Sequence, residues 1–314
     1  MIIRPVEPKD YAYIAPLWNA VYENDNYTPE EFAYLDSVYE PPCKFARFVA
    51  ELDGEIIGAC NYAQHAGMYH PQKFLTNIFV YPDKRSQGVG TQLYDFLAAQ
   101  LDAFNPLSLS AQVREDDAVA LAFAAKRGFE ETKRDWEAVI DPAEFDAAPY
   151  AGLEPKFAAE GITLTSFADW GVTPERENMF FDFFARARLD VPSSEPRTPY
   201  TFELFRKTFL DAPDFFSEGV FFALDGGDIT GMTMLWRSES TSDLYTGLTA
   251  VDRNYRGRGL ATALKVRALK FAAERGCRKV LTDNDTTNVE MIAVNDKLGF
   301  KRLPAWLSVR KTYG

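Results

Sequence analysis

The run Arg256-Gly257-Arg258-Gly259-Leu260-Ala261 sets two guanidinium groups and two glycines directly ahead of an apolar-periodic segment. Glycines there permit backbone conformations that a side chain would forbid. The segment from 260 to 274 carries Leu260, Leu264, Ala268 and Phe271 at helical spacing, which predicts a helix with one buried face. The first N–H groups of such a helix have no intrahelical partner and carry a partial positive charge. A glycine loop ending at them suits a phosphate or a pyrophosphate, with Arg256 and Arg258 as charged neighbours. Upstream, Thr249, Ala250 and Val251 read as the end of a strand, and Asp252 to Asn254 as the turn between strand and loop.

Two phosphate loops do not match. A Walker loop would end in Gly-Lys-Ser or Gly-Lys-Thr, and the third glycine of a dinucleotide fingerprint is missing. The pattern does recur within the chain. Val80, Arg85-Ser86-Gln87-Gly88-Val89-Gly90, Leu93, Lys126, Gly128 and Phe129 stand 171 residues before Val251, Arg256 to Ala261, Leu264, Lys297, Gly299 and Phe300. One offset held without a gap over roughly fifty residues marks an internal repeat. With 314 residues, two domains of about 150 follow. The expected bounds are 1–145 and 161–314, with a Pro- and Gly-containing linker over 146–160.

Around the two loops the chain alternates short β-like runs with helical stripes. Asp53-Gly54 and Asp225-Gly226-Gly227-Asp228 sit between strand pairs as hairpin turns. A second helix is read from Asn288 to Leu298, followed by Gly299-Phe300.

Arg-x-x-Gly-x-Ala after a strand, with an Asn-led helix and Gly-Phe downstream, resembles the coenzyme A pyrophosphate loop of the GNAT N-acetyltransferases. The tandem arrangement is similar to that of the mycothiol synthases. The resemblance covers nearly the whole chain. It implies an α/β protein of two GNAT folds in tandem, each a mixed, mostly antiparallel twisted sheet flanked by helices. It also implies acetyl-CoA as co-substrate with no metal, and acetyl transfer to the primary amine of a small molecule. By the same resemblance, backbone groups of Leu248 to Val251, and of Ile78 to Val80, meet the thioester and pantetheine, and Asn288 faces the coenzyme. In the first half Asp117 replaces that Asn. A like charge near phosphates is unfavourable, so the second copy is expected to be the active one and the first a degenerate one.

The positions of the family's acid and base carry other residues here. Relatives carry a general-acid Tyr where this chain has Asn295 and Ala124. Their base is an acidic residue on the strand before the loop. That strand offers Tyr245, Thr249 and, at its expected mouth, Asp243. Tyr245, Asp243 and Asn295 are therefore the catalytic candidates. Two other readings stay open: a non-catalytic acyl-CoA-binding or regulatory protein, and a lysine acetyltransferase acting on a partner protein.

Composition limits the partners. The net charge of −12 lies wholly in the first half, where residues 1–150 hold 12 Lys+Arg against 24 Asp+Glu and the remainder 22 against 22. That excludes nucleic acid as an expected partner. No apolar run approaches a membrane span, and the three scattered cysteines, Cys43, Cys60 and Cys277, fit a reducing cytoplasm. His65 and His70 are assigned to packing or surface roles. A monomer or a homodimer is expected.

Overall fold

A computed structural model describes residues 1–22, 24–193 and 195–313. The order is β1 (Ile2–Pro5), α1 (Tyr11–Val21), α2 (Pro29–Ser37), β2 (Phe45–Leu52), β3 (Glu55–Ala63), β4 (Lys73–Val80), α3 (Val89–Asp102), β5 (Ser108–Arg114), α4 (Ala118–Lys126) and β6 (Glu130–Ile140). The chain continues with α5 (Leu153–Ala159), β7 (Ile162–Ser166), α6 (Phe167–Trp170), α7 (Pro174–Ala187), α8 (Phe202–Phe205), β8 (Val220–Asp225), β9 (Asp228–Arg237), β10 (Leu244–Val251), α9 (Leu260–Glu274), β11 (Val280–Asp285), α10 (Val289–Leu298), β12 (Lys301–Arg302) and β13 (Trp306–Thr312).

Two compact units result. The first comprises Met1–Arg134, Ser194–Thr198 and Trp306–Gly314, and the second Asp135–Ser193 and Pro199–Ala305. Within the first unit the sheet order is β1-β2-β3-β4-β5-β13, and within the second β7-β8-β9-β10-β11-β6. Each half's last strand is thus built into the other half's unit: β13 pairs β5 from Trp306↔Arg114 to Thr312↔Ser108, and Asp135–Ile140 of β6 pair β11. All these pairings are antiparallel except β4–β5 and β10–β11.

In each unit, helices cover both faces of the sheet, and strand alternation sorts the side chains between them. In the first unit α1 buries Ile14 and Leu17 against Val49, Ala59 and Phe79. On the other face α3 buries Val89, Leu93 and Leu97 against Phe48, Ala50 and Val80. In the second unit α7 buries Phe180, Phe183 and Phe184 against Phe222, Met232 and Met234, while α9 packs on Phe221, Ala223, Leu235 and Val251. The hairpin turns behave as their residues require: Asp53 and Gly54 have φ of 52° and 85°, and Gly226 and Gly227 of 58° and 98°. The stretch 146–160 holds a 3-10 turn at Ala148–Tyr150 and helix α5, whose Phe157 is fully buried.

Candidate functional site

The second glycine loop is built by backbone demand. Gly257 and Gly259 adopt φ of 72° and 90°, the left-handed region that glycine occupies without strain. Gly259 is the N-cap of α9, and its carbonyl accepts from Ala263. The amides ahead of Ala263, those of Leu260 and Ala261 among them, have no intrahelical acceptor. Arg256 is fixed across the loop: its Nε donates to the Val251 carbonyl at 2.9 Å. Two carboxylates stand among the loop arginines. Asp190 pairs with both Arg253 and Arg256, and Glu160 pairs with Arg258. Hydrogen bonds from Arg253 and then Arg256 hold the Asp190 carboxyl far below the usual carboxylate range.

Beside this loop the sheet opens. β10 and β11 pair in parallel at Leu244↔Val280 and Tyr245↔Leu281 only, then diverge towards the loop. On its other side β10 carries a bulge. Thr246 pairs Leu235 and Thr249 pairs Thr233, so Gly247 and Leu248 fall out of the ladder with one residue extra. A bulge flips the alternation beyond it. Leu244 and Val251 accordingly face α9, whereas Leu248 and Ala250 pack with the α7 cluster. A side chain at Gly247 would force its neighbours to move: its Cβ would lie 2.5 Å from Trp236 Nε1 and 2.8 Å from Met234 Cγ. Across the ladder Thr249 and the fully buried Thr233 share a 2.7 Å hydroxyl hydrogen bond.

The catalytic candidates fall in different places. Tyr245 lies at the fork of the gap, and its hydroxyl donates to Asp283 Oδ1 at 2.8 Å. Both alternate with residues that face α9, so both lie on the α7 face of the sheet. Asp243 lies at the closed end, below the parallel pair, and not at a mouth. It is buried, and Arg278 grips it with two hydrogen bonds of 3.1 and 2.8 Å. That fork-to-fork pair neutralises it and turns it from the gap. Asn295 is buried, and its amide donates to Asn284 Oδ1 at 2.5 Å while its own Oδ1 lacks a partner among the described residues. Asn288 spends its side chain on capping α10, accepting from the Met291 amide at 3.3 Å.

Asp283 escapes a reading of the sequence because the strand pattern of 279–282 stops one residue short of it. The cue is geometric: once Tyr245 pairs Leu281, alternation brings residue 283 to the same face.

The first unit has the same loop on a different frame. Gly88 caps α3 with φ of 84°, and Ser86 sits at 62° where the second copy has Gly257. Arg85 Nε donates to the Val80 carbonyl at 3.4 Å, and its Nη1 pairs with Asp117 at 3.1 Å. Asp117 also caps α4 by accepting from the Ala120 amide. β4 and β5 diverge after Leu75↔Ser110, and a cavity of about 510 Å³ opens there, lined by Thr76, Val80, Tyr94, Val113 and Phe123 among others. Yet β4 pairs β3 from Gly58↔Val80 to Ala63↔Leu75 with no bulge. Through the strand pairings, Leu75 and Gln112 occupy the places of Tyr245 and Asp283.

Among the described residues, no group of three or more His, Cys, Asp or Glu side chains is placed to hold a metal ion, and no helix is long and apolar enough to cross a membrane.

Comparison with known proteins adds the family. The Acetyltransferase (GNAT) family model matches residues 11–129 and 180–300. The chain is similar to the mycothiol acetyltransferase of Amycolatopsis mediterranei (strain U-32), with 25% identity over 81% of this chain and 80% of that protein. The mycothiol acetyltransferase of Thermobifida fusca (strain YX) is 27% identical, over 81% and 78% respectively. Among solved structures, a tandem GNAT protein from the clavulanic acid biosynthesis pathway shares the fold. Its TM-score is 0.79 at 21% identity, over all of this chain and 98% of that one.

Proposed function

The chain belongs to the GNAT acetyltransferase family of acetyl-CoA-dependent N-acetyltransferases, and from that premise we propose that its second unit acetylates the primary amine of a small molecule. The observation that carries this reading is the β10 bulge beside the β10–β11 gap, with an ionisable pair at the fork. The first unit has the gap but neither the bulge nor the ionisable pair. Relatives named mycothiol acetyltransferases favour a small-molecule acceptor.

Acetyl-CoA, when bound, supplies the acetyl thioester. The residues present fit it. The loop amides of Gly257, Gly259, Leu260 and Ala261, with Arg256 and Arg258, would hold its diphosphate. Backbone groups of Gly247 and Leu248, released from the ladder by the bulge, are free to meet the thioester carbonyl. Thr249, Ala250 and Val251 would flank the pantetheine. On the α7 face, Asp283 is the group to take a proton from the acceptor ammonium, with Tyr245 fixing the carboxylate. Asn288 and Asn295 act as structural holders of α10 in this scheme, and Asp243 has no part in the chemistry.

The first unit, through Val80 and the loop from Arg85 to Gly90, would admit a coenzyme into its cavity without catalysing transfer. The Asp117 carboxylate beside Arg85 weakens that binding.

The test is thiol release from acetyl-CoA over a panel of primary amines, with the acetylated product identified by mass. Gly259→Val should abolish turnover, because a β-branched residue is strained at φ 90° and crowds the diphosphate. Gly88→Val should leave turnover largely intact. The reverse pattern, or no product with any amine, would refute the proposal.

A further inference from the structure

Lys265 is buried in the second unit with no role in the scheme above. It lies in the second turn of α9 and is 2% exposed. No hydrogen bond or ion pair holds its ammonium among the described residues. Its Nζ sits 5.1 Å from the centroid of the Phe300 ring, and the Phe300 amide in turn donates to the Asn295 carbonyl at 3.1 Å. The side chain therefore lies against the junction that follows α10, on the coenzyme-loop side of the sheet. A buried amine without a carboxylate is expensive. A lysine so placed beside a cleft is a candidate for proton transfer.

Three observations tie Lys265 to the gap. Asp283 opposes the fall that burial imposes on the Lys265 ammonium, so the two groups lie within electrostatic reach although Asp283 belongs to the opposite face. Tyr94 stands at the same place in the first unit, 171 residues earlier, and it lines the cavity there. Its ring lies 6.3 Å from Phe129, the counterpart of Phe300. Elimination supplies the third. The other buried titratable groups of the second unit are Arg188, Asp243, Asp135, Glu137 and Cys277. Arg188 follows α7, and Asp243 is paired with Arg278. Asp135 and Glu137 alternate with Ala138 and Ile140, which face α9, and so point away from it. Cys277 lies beyond the far end of α9.

We propose that Lys265 is the proton donor to the coenzyme A sulfur as the thioester breaks. The proposal rests on the acetyl-transfer reading above. The amine nitrogen bonds to the thioester carbon, and the C–S bond breaks. The nitrogen loses one proton to Asp283 and a second to water. The Lys265 ammonium gives one proton to sulfur, which leaves coenzyme A as the thiol, and the neutral lysine takes a proton back from water. Base and acid then work from opposite faces of the sheet through one gap, so neither can quench the other.

Burial moves the Lys265 ammonium down to about 7, with Asp283 opposing that shift, which suits a group that must both give and regain a proton near neutrality. Of the other charges on the elements packed around it, Lys270 and Glu274 of α9 and Glu290 of α10 are exposed, and the remainder are engaged elsewhere. Arg267 of α9 pairs with Glu154, Asp296 of α10 with Arg302, and Glu144 with Lys301. Lys297 lies over the Tyr150 ring.

The test is kcat against pH, by thiol release, for the full-length wild type, Lys265→Met and Lys265→Arg. Lys265→Met should lower kcat about a hundredfold with KM for acetyl-CoA within about threefold. The wild-type fall in kcat above about pH 7 should vanish. Lys265→Arg keeps a charge that does not titrate there, and should recover part of the rate with no such fall. A Lys265→Met enzyme with wild-type kcat and profile would overturn the assignment. If the Met variant does not fold, the same fall persisting in Lys265→Arg overturns it equally. A wild type that releases thiol with no amine refutes the acetyl-transfer reading itself, an outcome separate from an active wild type indifferent to Lys265.

Discussion

Tyr245 donates to Asp283 Oδ1 at 2.8 Å across the last residue pair that β10 and β11 share. The bond fixes a carboxylate at the point where the sheet opens, one residue short of the bulge. Asp283→Asn keeps the shape and removes the proton acceptor, so kcat should fall about a hundredfold. Tyr245→Phe loses only the orienting bond and should cost about tenfold or less, a net hydrogen bond of about 1 kcal/mol. Steady-state rates with a saturating amine decide the point. Equal losses in both variants would show that the pair acts as one unit.

The features legible in the sequence are those set by local backbone demand. Gly257 and Gly259 announce a left-handed loop, the apolar stripe announces α9, and the 171-residue offset announces the repeat. The bulge is silent because it lies at Thr246–Thr249, upstream of the window over which the two copies align without a gap. Asp190 and Glu160 meet the loop from 66 and 98 residues away, and no spacing rule reaches that far. Asp243 misleads because an acid beside a strand gives no sign of which end of the gap it occupies. Arg278, 35 residues on, settles that. The exchange of β6 and β13 is equally hidden, since alternation sets which face a strand buries and not which neighbour it pairs.

Gly247 is where the bulge has no space to spare. A methyl group there would overlap the Trp236 indole and the Met234 side chain, at 2.5 and 2.8 Å. Gly247→Ala should destabilise the second unit by about 1–3 kcal/mol, as overpacking of a filled site does. It should also lower turnover by displacing the strand that faces the thioester. Urea unfolding with an unchanged m-value measures the first effect. A variant as stable and active as wild type would show that the bulge yields freely.

Lys265 also makes stability depend on pH, with a sign that can be worked out. Its folded value of about 7 lies below the ordinary 10.5. Between those values the unfolded chain binds the extra proton, so the wild type gains stability as pH rises from about 7 to 10.5 and is flat on this account below 7. Lys265→Met has no proton to lose. Its stability advantage over wild type should be largest near neutrality and shrink as pH approaches 10. Thermal melts of both proteins at pH 7, 8.5 and 10 check this, and an advantage that does not change with pH would mean that Lys265 titrates alike in both states.

Asp190 occupies the charge that a diphosphate would need. It pairs with Arg253 and Arg256 together, so an incoming anion must compete with a carboxylate already held there. These are surface groups, and release of such pairs is worth about 1 kcal/mol or less. Asp190→Asn should therefore tighten acetyl-CoA binding to the second unit by about threefold to fivefold. The gain should fade at high salt, where all these charges are screened. The opposite result is equally informative. Arg256 is also anchored by its bond to the Val251 carbonyl at 2.9 Å, so if that bond alone positions the guanidinium, losing Asp190 frees charge without losing geometry. Weaker binding in Asp190→Asn would mean that the carboxylate aims the arginines rather than blocking them. Calorimetric titration of the Gly88→Val background, which isolates the second site, separates the two.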